Sequence, residues 1–283
     1  MDIAIVGAGT VGTAVGVAWA GAGHRVIAVA GRAETVSRAA RWLPGVPVLP
    51  IAEAVSGAEL VVIGVPDDVL PSIASTVASA VISGVDVLHL SGASGLDVLA
   101  PVVEAGARPL AVHPLQTFAD VSGALETLRG CAIAVTAADD DGFVLSEALD
   151  RDLNERPFRL PDAQRPLYHA AAVFASNYLV AVSGAADALF SRAGVPEALA
   201  AMRPLQEATL ANVHRLGPHA ALTGPAVRGD AGTIDRNLSA IAAADPELVA
   251  SYVALCRTAM LVAGDRLAGP ARPAIEEVLA RWS

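Results

Sequence analysis

The sequence predicts an α/β domain on a mostly parallel sheet, followed by an all-α domain. Three observations predict it. Short apolar runs alternate with Ala-rich helical stretches through residue 161, a glycine-rich turn joins the first run to the first helix, and the composition from Pro166 onward is helical throughout. The expected domains are therefore 1–161 and 162–283.

Asp2 to Val6 reads as a strand that enters Gly7-Ala8-Gly9-Thr10-Val11-Gly12, after which small apolar residues continue to Ala22 as a helix. This places GxGxxG at a strand-to-helix junction, where each glycine has its own task. Gly7 permits the tight turn, Gly9 admits a pyrophosphate to the backbone, and Gly12 allows helix and strand to pack closely. The free N–H groups of the helix start, at Thr10 and Val11, then face the diphosphate. Gly21-Ala22-Gly23 stops the helix, and His24 to Ala30 forms the second strand. The turn is a Rossmann dinucleotide-binding element.

The end of that second strand selects the cofactor, because an acidic residue there would bind the ribose hydroxyls of NAD and repel a 2′-phosphate. The chain reads Ala30-Gly31-Arg32 instead. Arg32, with Arg38 or Arg41 assisting, suits the phosphate of NADP; Glu34 and Arg38 are also spaced to pair on a solvated helix. Further strands are expected at Leu60 to Val65, Val85 to Leu90, Leu110 to Val112, Cys131 to Thr136 and around Phe158. Ligands of such sheets lie beyond the strands' carboxyl ends, so Val65 and Pro66, Ser91 and Gly92, and the loop from His113 to Gln116 should line one crevice, with Gln116 a candidate substrate contact. Adjacent Asp67 and Asp68 suit helix capping better than metal binding.

In the second domain a single long helix is expected from Leu167 to Ala193. On it His169 and Ser176 are two turns apart, with Asn177 beside them, forming a polar group on an apolar helix that suits a substrate pocket between domains. Pro196 starts another helix, Pro204 interrupts it, and helices near Gly232 to Ala243 and Pro246 to Leu267 complete a bundle. The loop from Leu222 to Asp230 carries Thr223, Arg228 and Asp230 and is a candidate for closing a site; an Arg228–Asp230 pair or helix capping explains it equally.

Composition excludes several functions. The net charge of −10 over 283 residues, with no basic cluster, argues against nucleic acid. All 19 basic residues are arginine, which removes Schiff-base chemistry, a Walker-type phosphate loop and a lysine acid. No charge-free run of membrane-spanning length and no basic leader are expected, and Cys131 and Cys256 read as core residues. These features point to the cytoplasm and to no membrane partner. An apolar helical domain ending near Trp282 suits a homodimer.

Together, GAGTVG at 7–12, the HxSG pattern at His89 to Gly92, HPLQTF at 113–118, YHAAAVFASNYLV at 168–180 and LTGPAVRGD at 222–230 resemble bacterial Rossmann-like oxidoreductases whose second, helical domain is of unknown function. This group is similar, more distantly, to ketopantoate reductase, pyrroline-5-carboxylate reductase and the wider 6-phosphogluconate dehydrogenase superfamily. The resemblance implies NADPH-dependent reduction of the carbonyl of a small 2-keto acid. The lysine that ketopantoate reductases carry one turn before an asparagine is Val173 here, four residues before Asn177. The proton must then come from a histidine, a tyrosine or a relayed water, and His113 and His169 are the candidate donors. Ser176 and Asn177 would polarise the carbonyl, and Arg228 would hold a substrate carboxylate. Imine reduction and non-catalytic NADPH binding are the alternatives.

Overall fold

Seven strands form one sheet in the order β2-β1-β3-β4-β5-β6-β7 in a computed structural model of the chain that describes residues 1–152, 156–267 and 269–283. They are β1 (Asp2–Val6), β2 (Arg25–Ala30), β3 (Leu60–Ile63), β4 (Asp86–His89), β5 (Arg108–Pro114), β6 (Ala132–Ala137) and β7 (Arg156–Arg159). Every pairing is parallel except β5 with β6. Since β1 lies between β2 and β3, the winding reverses beside it. A crevice therefore opens at the carboxyl end of β1.

The central strands are apolar on both faces, as a sheet covered by helices on each side requires. Along β1, Ile3 and Ile5 join one buried cluster with Leu60, Val62 and Leu88, whereas Ala4 and Val6 join another with Val61 and Ile63. Period-two alternation sends successive side chains to opposite faces. The helix α1 (Thr10–Gly21) follows β1, and α2 (Ala33–Trp42) follows β2.

The chain divides into two compact units, Met1–Asn177 and Tyr178–Ser283, so the first unit continues past the expected boundary at 161. One tie is Arg165, in the first turn of helix Arg165–Ala175. Its fully buried guanidinium ties that helix to the sheet through Thr136 Oγ1 at 2.9 Å and the Ser91 carbonyl at 2.5 Å. The long helix expected to Ala193 is also broken. Ser176 leaves helical geometry, at φ −124° and ψ −70°, between helices Arg165–Ala175 and Asn177–Arg192. Ser and Asn side chains compete for backbone hydrogen bonds and weaken a helix at such a join.

In the second unit, Ala198–Leu216, Ala231–Ala244, Val249–Ala263 and Ala271–Arg281 are helices, and Ile234, Leu238, Val253, Met260, Ile275 and Leu279 form their core. Pro204 does not interrupt its helix as expected; the helix runs through it to Leu216. Asp230 caps the next helix, accepting from Thr233 N at 2.9 Å and Thr233 Oγ1 at 2.7 Å.

One expectation from composition is overturned. Residues 166–186 contain no charged side chain, and the stretch Asp162–Arg192 has mean hydropathy 1.4, long and apolar enough to span a bilayer by length and composition alone. Pro246–Arg266 meets the same criterion. Arg165 and Asp187 bound the first run.

Candidate functional site

The glycine turn has the geometry that its spacing requires. Gly7 has φ +90°, and its N–H donates to Ala30 O at 2.8 Å; a Cβ there would lie 2.7 Å from Gly64 O. Gly9 is the residue before α1, extended at φ −71° and ψ −163°, and the position of its missing Cβ is open out to 4.0 Å. A pyrophosphate can thus reach the backbone. Gly12 is buried in α1, where a Cβ would lie 2.5 Å from Gly7 O, while Thr10 and Val11 form the first turn. That turn contains no acidic residue to oppose an anion.

Beside the turn lies a cleft of about 690 Å³, whose lining includes Gly7, Gly9, Arg32, Arg38, Val65 and Pro66. Arg32 is the exposed residue preceding α2. Arg38 reaches back from α2 to donate from Nη1 to Ala8 O at 2.7 Å, and no Glu34–Arg38 ion pair forms among the described residues. Arg41 lies over the Trp42 ring, 5.1 Å from its centroid, and does not line the cleft. At Gly31 a side chain would collide with the Thr35 hydroxyl. The strand end where an NAD-selective acid would stand is thereby kept bare.

A second group of residues gathers where β4 and β5 end, also within the first unit. His89 is fully buried; its Nε2 bonds Gly95 O at 3.0 Å and its Nδ1 accepts from Ser91 N at 3.2 Å. Burial pushes its pKa down to about 4. Ser91 Oγ then accepts from Ala93 N and Ser94 N, so the side chain predicted to touch cofactor instead shapes its own loop. Gly92 is wedged against two imidazoles: a Cβ there would fall 2.8 Å from both His113 Nε2 and His169 Nδ1. Only glycine fits without displacing them.

His113 Nδ1 and Tyr168 Oη are 2.8 Å apart, with the rings edge to face at 5.5 Å. The His113 and His169 rings lie 6.4 Å apart, and His169 Nδ1 is buried with no hydrogen-bond partner among the described residues. Burial, reinforced by the charge of Arg165, pushes His113 down to about 4, whereas burial pushes the Tyr168 phenol up to about 12. Both are neutral at physiological pH. Arg165 beneath them is bonded to a hydroxyl and carbonyls, and its own pKa is lowered by burial. It has no ion pair among the described residues.

Thus His113, His169, Ser91 and Gly92 are brought together, and Gly7, Gly9, Arg32, Val65 and Pro66 line the cleft. Gln116 is otherwise engaged: its amide donates to Thr127 O at 3.2 Å and accepts from Thr117 N at 2.8 Å. Ser176 and exposed Asn177 make no side-chain hydrogen bond to the histidine group among the described residues. Thr223 and Arg228 are exposed in the second unit. Sequence reasoning missed Tyr168, His89 and Arg165. Tyr168 stands next to His169 in the quoted motif, which was the available signal; a solitary buried arginine gives none.

Comparison with known proteins agrees with this architecture. Residues 1–114 match the family described as a Rossmann-like domain, and residues 131–259 match a domain of unknown function, DUF2520. No curated protein matches the sequence. A Bacteroides fragilis protein assigned to the NADP oxidoreductases is similar in structure at 23% identity and TM-score 0.80, over 92% of this chain and 98% of that one. A Thermotoga maritima protein is similar at 19% identity and TM-score 0.68, over 93% and 98%. An imine reductase from Myxococcus stipitatus, solved with NADP⁺, is similar at 17% identity and TM-score 0.69, over 100% and 99%. At these identities the likeness is one of fold.

Proposed function

We propose that this protein is an NADPH-dependent reductase of a small carbonyl compound, with a 2-keto acid as the preferred class. The observation that carries the reading is the pairing, on one sheet, of an arginine-lined cleft at the glycine turn with the His113–Tyr168 group at the ends of neighbouring strands. Gly7, Gly9 and the start of α1 would hold the pyrophosphate, and Arg32 and Arg38 the 2′-phosphate. Bound NADPH would supply the hydride. NADP is named for both the Bacteroides fragilis and the Myxococcus stipitatus proteins, which supports the same cofactor here.

Arg165 favours a carbonyl over an imine. A buried cation with no ion-pair partner among the described residues stabilises negative charge developing on oxygen and opposes an iminium cation. The imine reading draws on imine reductases of the same fold that align along the whole chain. Turnover of NADPH followed by absorbance against 2-keto acids and cyclic imines, with NADH as control, separates these readings. Oxidation by cyclic imines alone would sink the keto-acid assignment.

Arg32 gives a sharper test of the cofactor. Arg32→Ala is expected to weaken NADPH roughly ten- to a hundredfold, from loss of a charge-assisted phosphate contact, and to leave NADH affinity nearly unchanged. Equal losses for both cofactors, in fluorescence titrations, would remove Arg32 from phosphate recognition.

The proposal extends to a homodimer. Helix Asn177–Arg192 has no buried residue, and Val180 there is 70% exposed, while Leu199 and Leu205 on the following helix are 61% and 63% exposed. Apolar helices this bare suit a second copy of the chain. Sedimentation should give a dimer, and paired Val180→Glu and Leu205→Glu substitutions should give monomer. A wild-type monomer at micromolar concentration would end this part of the proposal.

A further inference from the structure

The sequence offered His113 and His169 as separate proton donors and left a tyrosine open without naming one; the geometry joins His113 to Tyr168. His113 Nδ1 lies 2.8 Å from Tyr168 Oη, so one proton is shared between a phenol and an imidazole. Imidazole nitrogen is much the more basic of the two acceptors, and the phenol therefore donates. The remaining imidazole proton then sits on Nε2. That atom has no hydrogen bond among the described residues and faces the bare Cα of Gly92, where a side chain would collide with it.

We infer that Tyr168 and His113 form a two-step proton relay, in which His113 Nε2–H protonates the substrate oxygen while Nδ1 takes the Tyr168 hydroxyl proton. The inference rests on the carbonyl-reductase reading above. Reduction of a carbonyl by the nicotinamide hydride leaves an electron pair on oxygen, which must gain one proton. The His113 Nε2–H bond breaks as the substrate O–H bond forms, and the Nδ1–H bond forms as the Tyr168 O–H bond breaks. Imidazole ends as its other neutral tautomer and tyrosine as the phenolate. Water then returns a proton to Tyr168, which is half-buried and within reach of solvent.

The surrounding charges suit such a relay better than an imidazolium acid. Arg165, His169 and His89 oppose a positive charge on His113, whereas Asp67 favours one, less strongly than Arg165 and His169 oppose it. At a pKa of about 4, roughly one His113 in a thousand is cationic at neutral pH, so an acid that must first become imidazolium is nearly absent. For Tyr168, Arg165 favours the transient phenolate, against burial and Cys131. Arg165 thus acts through Tyr168 as a positioning charge. His169, with Nδ1 unpartnered among the described residues on the other side of Gly92, remains able to orient the substrate hydroxyl.

Tyr168→Phe keeps the ring and its edge contact with Phe158 while deleting the proton. The first measurement needs neither cofactor nor substrate: nitrogen-15 NMR of His113 should place its proton on Nε2 in the wild-type protein and show a mixture of tautomers in the variant. With a carbonyl compound that the 2-keto acid panel shows to be turned over, Tyr168→Phe should lower kcat by roughly a hundredfold or more, with NADPH Kd and substrate KM changed by less than about threefold. The wild-type rate should be level between about pH 5 and about pH 10, whereas the variant should gain rate toward acid as His113 becomes cationic. A proton on Nδ1, a variant with wild-type kcat, or a wild-type rate falling tenfold per pH unit through neutrality would each overturn the relay alone. If no carbonyl compound oxidises NADPH, the reductase reading falls and the relay with it.

Discussion

A single methyl group at position 12 is expected to abolish useful NADPH binding and to destabilise the first unit by about 3 kcal/mol. In Gly12→Ala the new carbon would lie 2.5 Å from Gly7 O and 3.4 Å from the Ile5 side chain. The first contact is with backbone, so rotation of a flexible side chain cannot relieve it. Either α1 moves away from β1 or the turn at Gly7 opens, and each displaces the amides that would meet the pyrophosphate. The Kd for NADPH should rise by roughly a hundredfold or more, the scale at which several charge-assisted contacts are lost together. Gly21→Ala is the matched control. It lies in the same helix with nothing within 4 Å of its Cβ position, and should raise stability by up to about 1 kcal/mol through helix propensity. Urea denaturation and NADPH fluorescence titration on both variants provide the test. Wild-type affinity in a folded Gly12→Ala protein would separate the turn from cofactor binding.

The difference between those two glycines was legible before any coordinates, because GxGxxG at a strand–helix junction prescribes which glycine is crowded. The strands were legible for a related reason. A parallel sheet buried on both faces leaves unbroken apolar runs, and these are conspicuous between polar turns. Contacts between distant segments were hidden. Nothing local in Arg165 announces that its guanidinium will cross to Thr136 and Ser91, 29 and 74 residues away, and so help tie its helix into the first unit. The same holds for Tyr168 and His113, 55 residues apart. Helical periodicity could offer His169 only Ser176, a companion on its own chain segment. The approach of β4 and β5 gives it Gly92 and His113 as neighbours, which no local pattern announces.

Stability should depend on pH through groups of opposite sign, with the larger share carried by histidine. The pKa of His89 is lowered from 6.5 to about 4, chiefly by burial, and that of His113 likewise. The unfolded chain therefore takes up their protons first on acidification. Their stabilising contribution is complete above about pH 6.5 and is lost as pH falls to about 4, by roughly 3 kcal/mol for each at most. Asp150 opposes this. Buried on the helix before β7, with Oδ2 unpartnered, it has a pKa raised from 3.8 to about 7, mainly by burial and further by Glu147. The folded state holds that proton more tightly than the unfolded state, so stability is greatest below about pH 4 and falls, on the order of 4 kcal/mol, as pH rises to about 7. Between those limits two histidines outweigh one carboxyl, and net stability should fall on acidification from about pH 6.5. Asp150→Asn isolates the opposing term, since a neutral amide needs no proton to remain buried. Denaturation series at several pH values should find the variant similar to wild type near pH 4, increasingly more stable up to about pH 7, and steeper in its acid loss. A difference between the two proteins that is constant across that range would mean that Asp150 does not titrate in the interior.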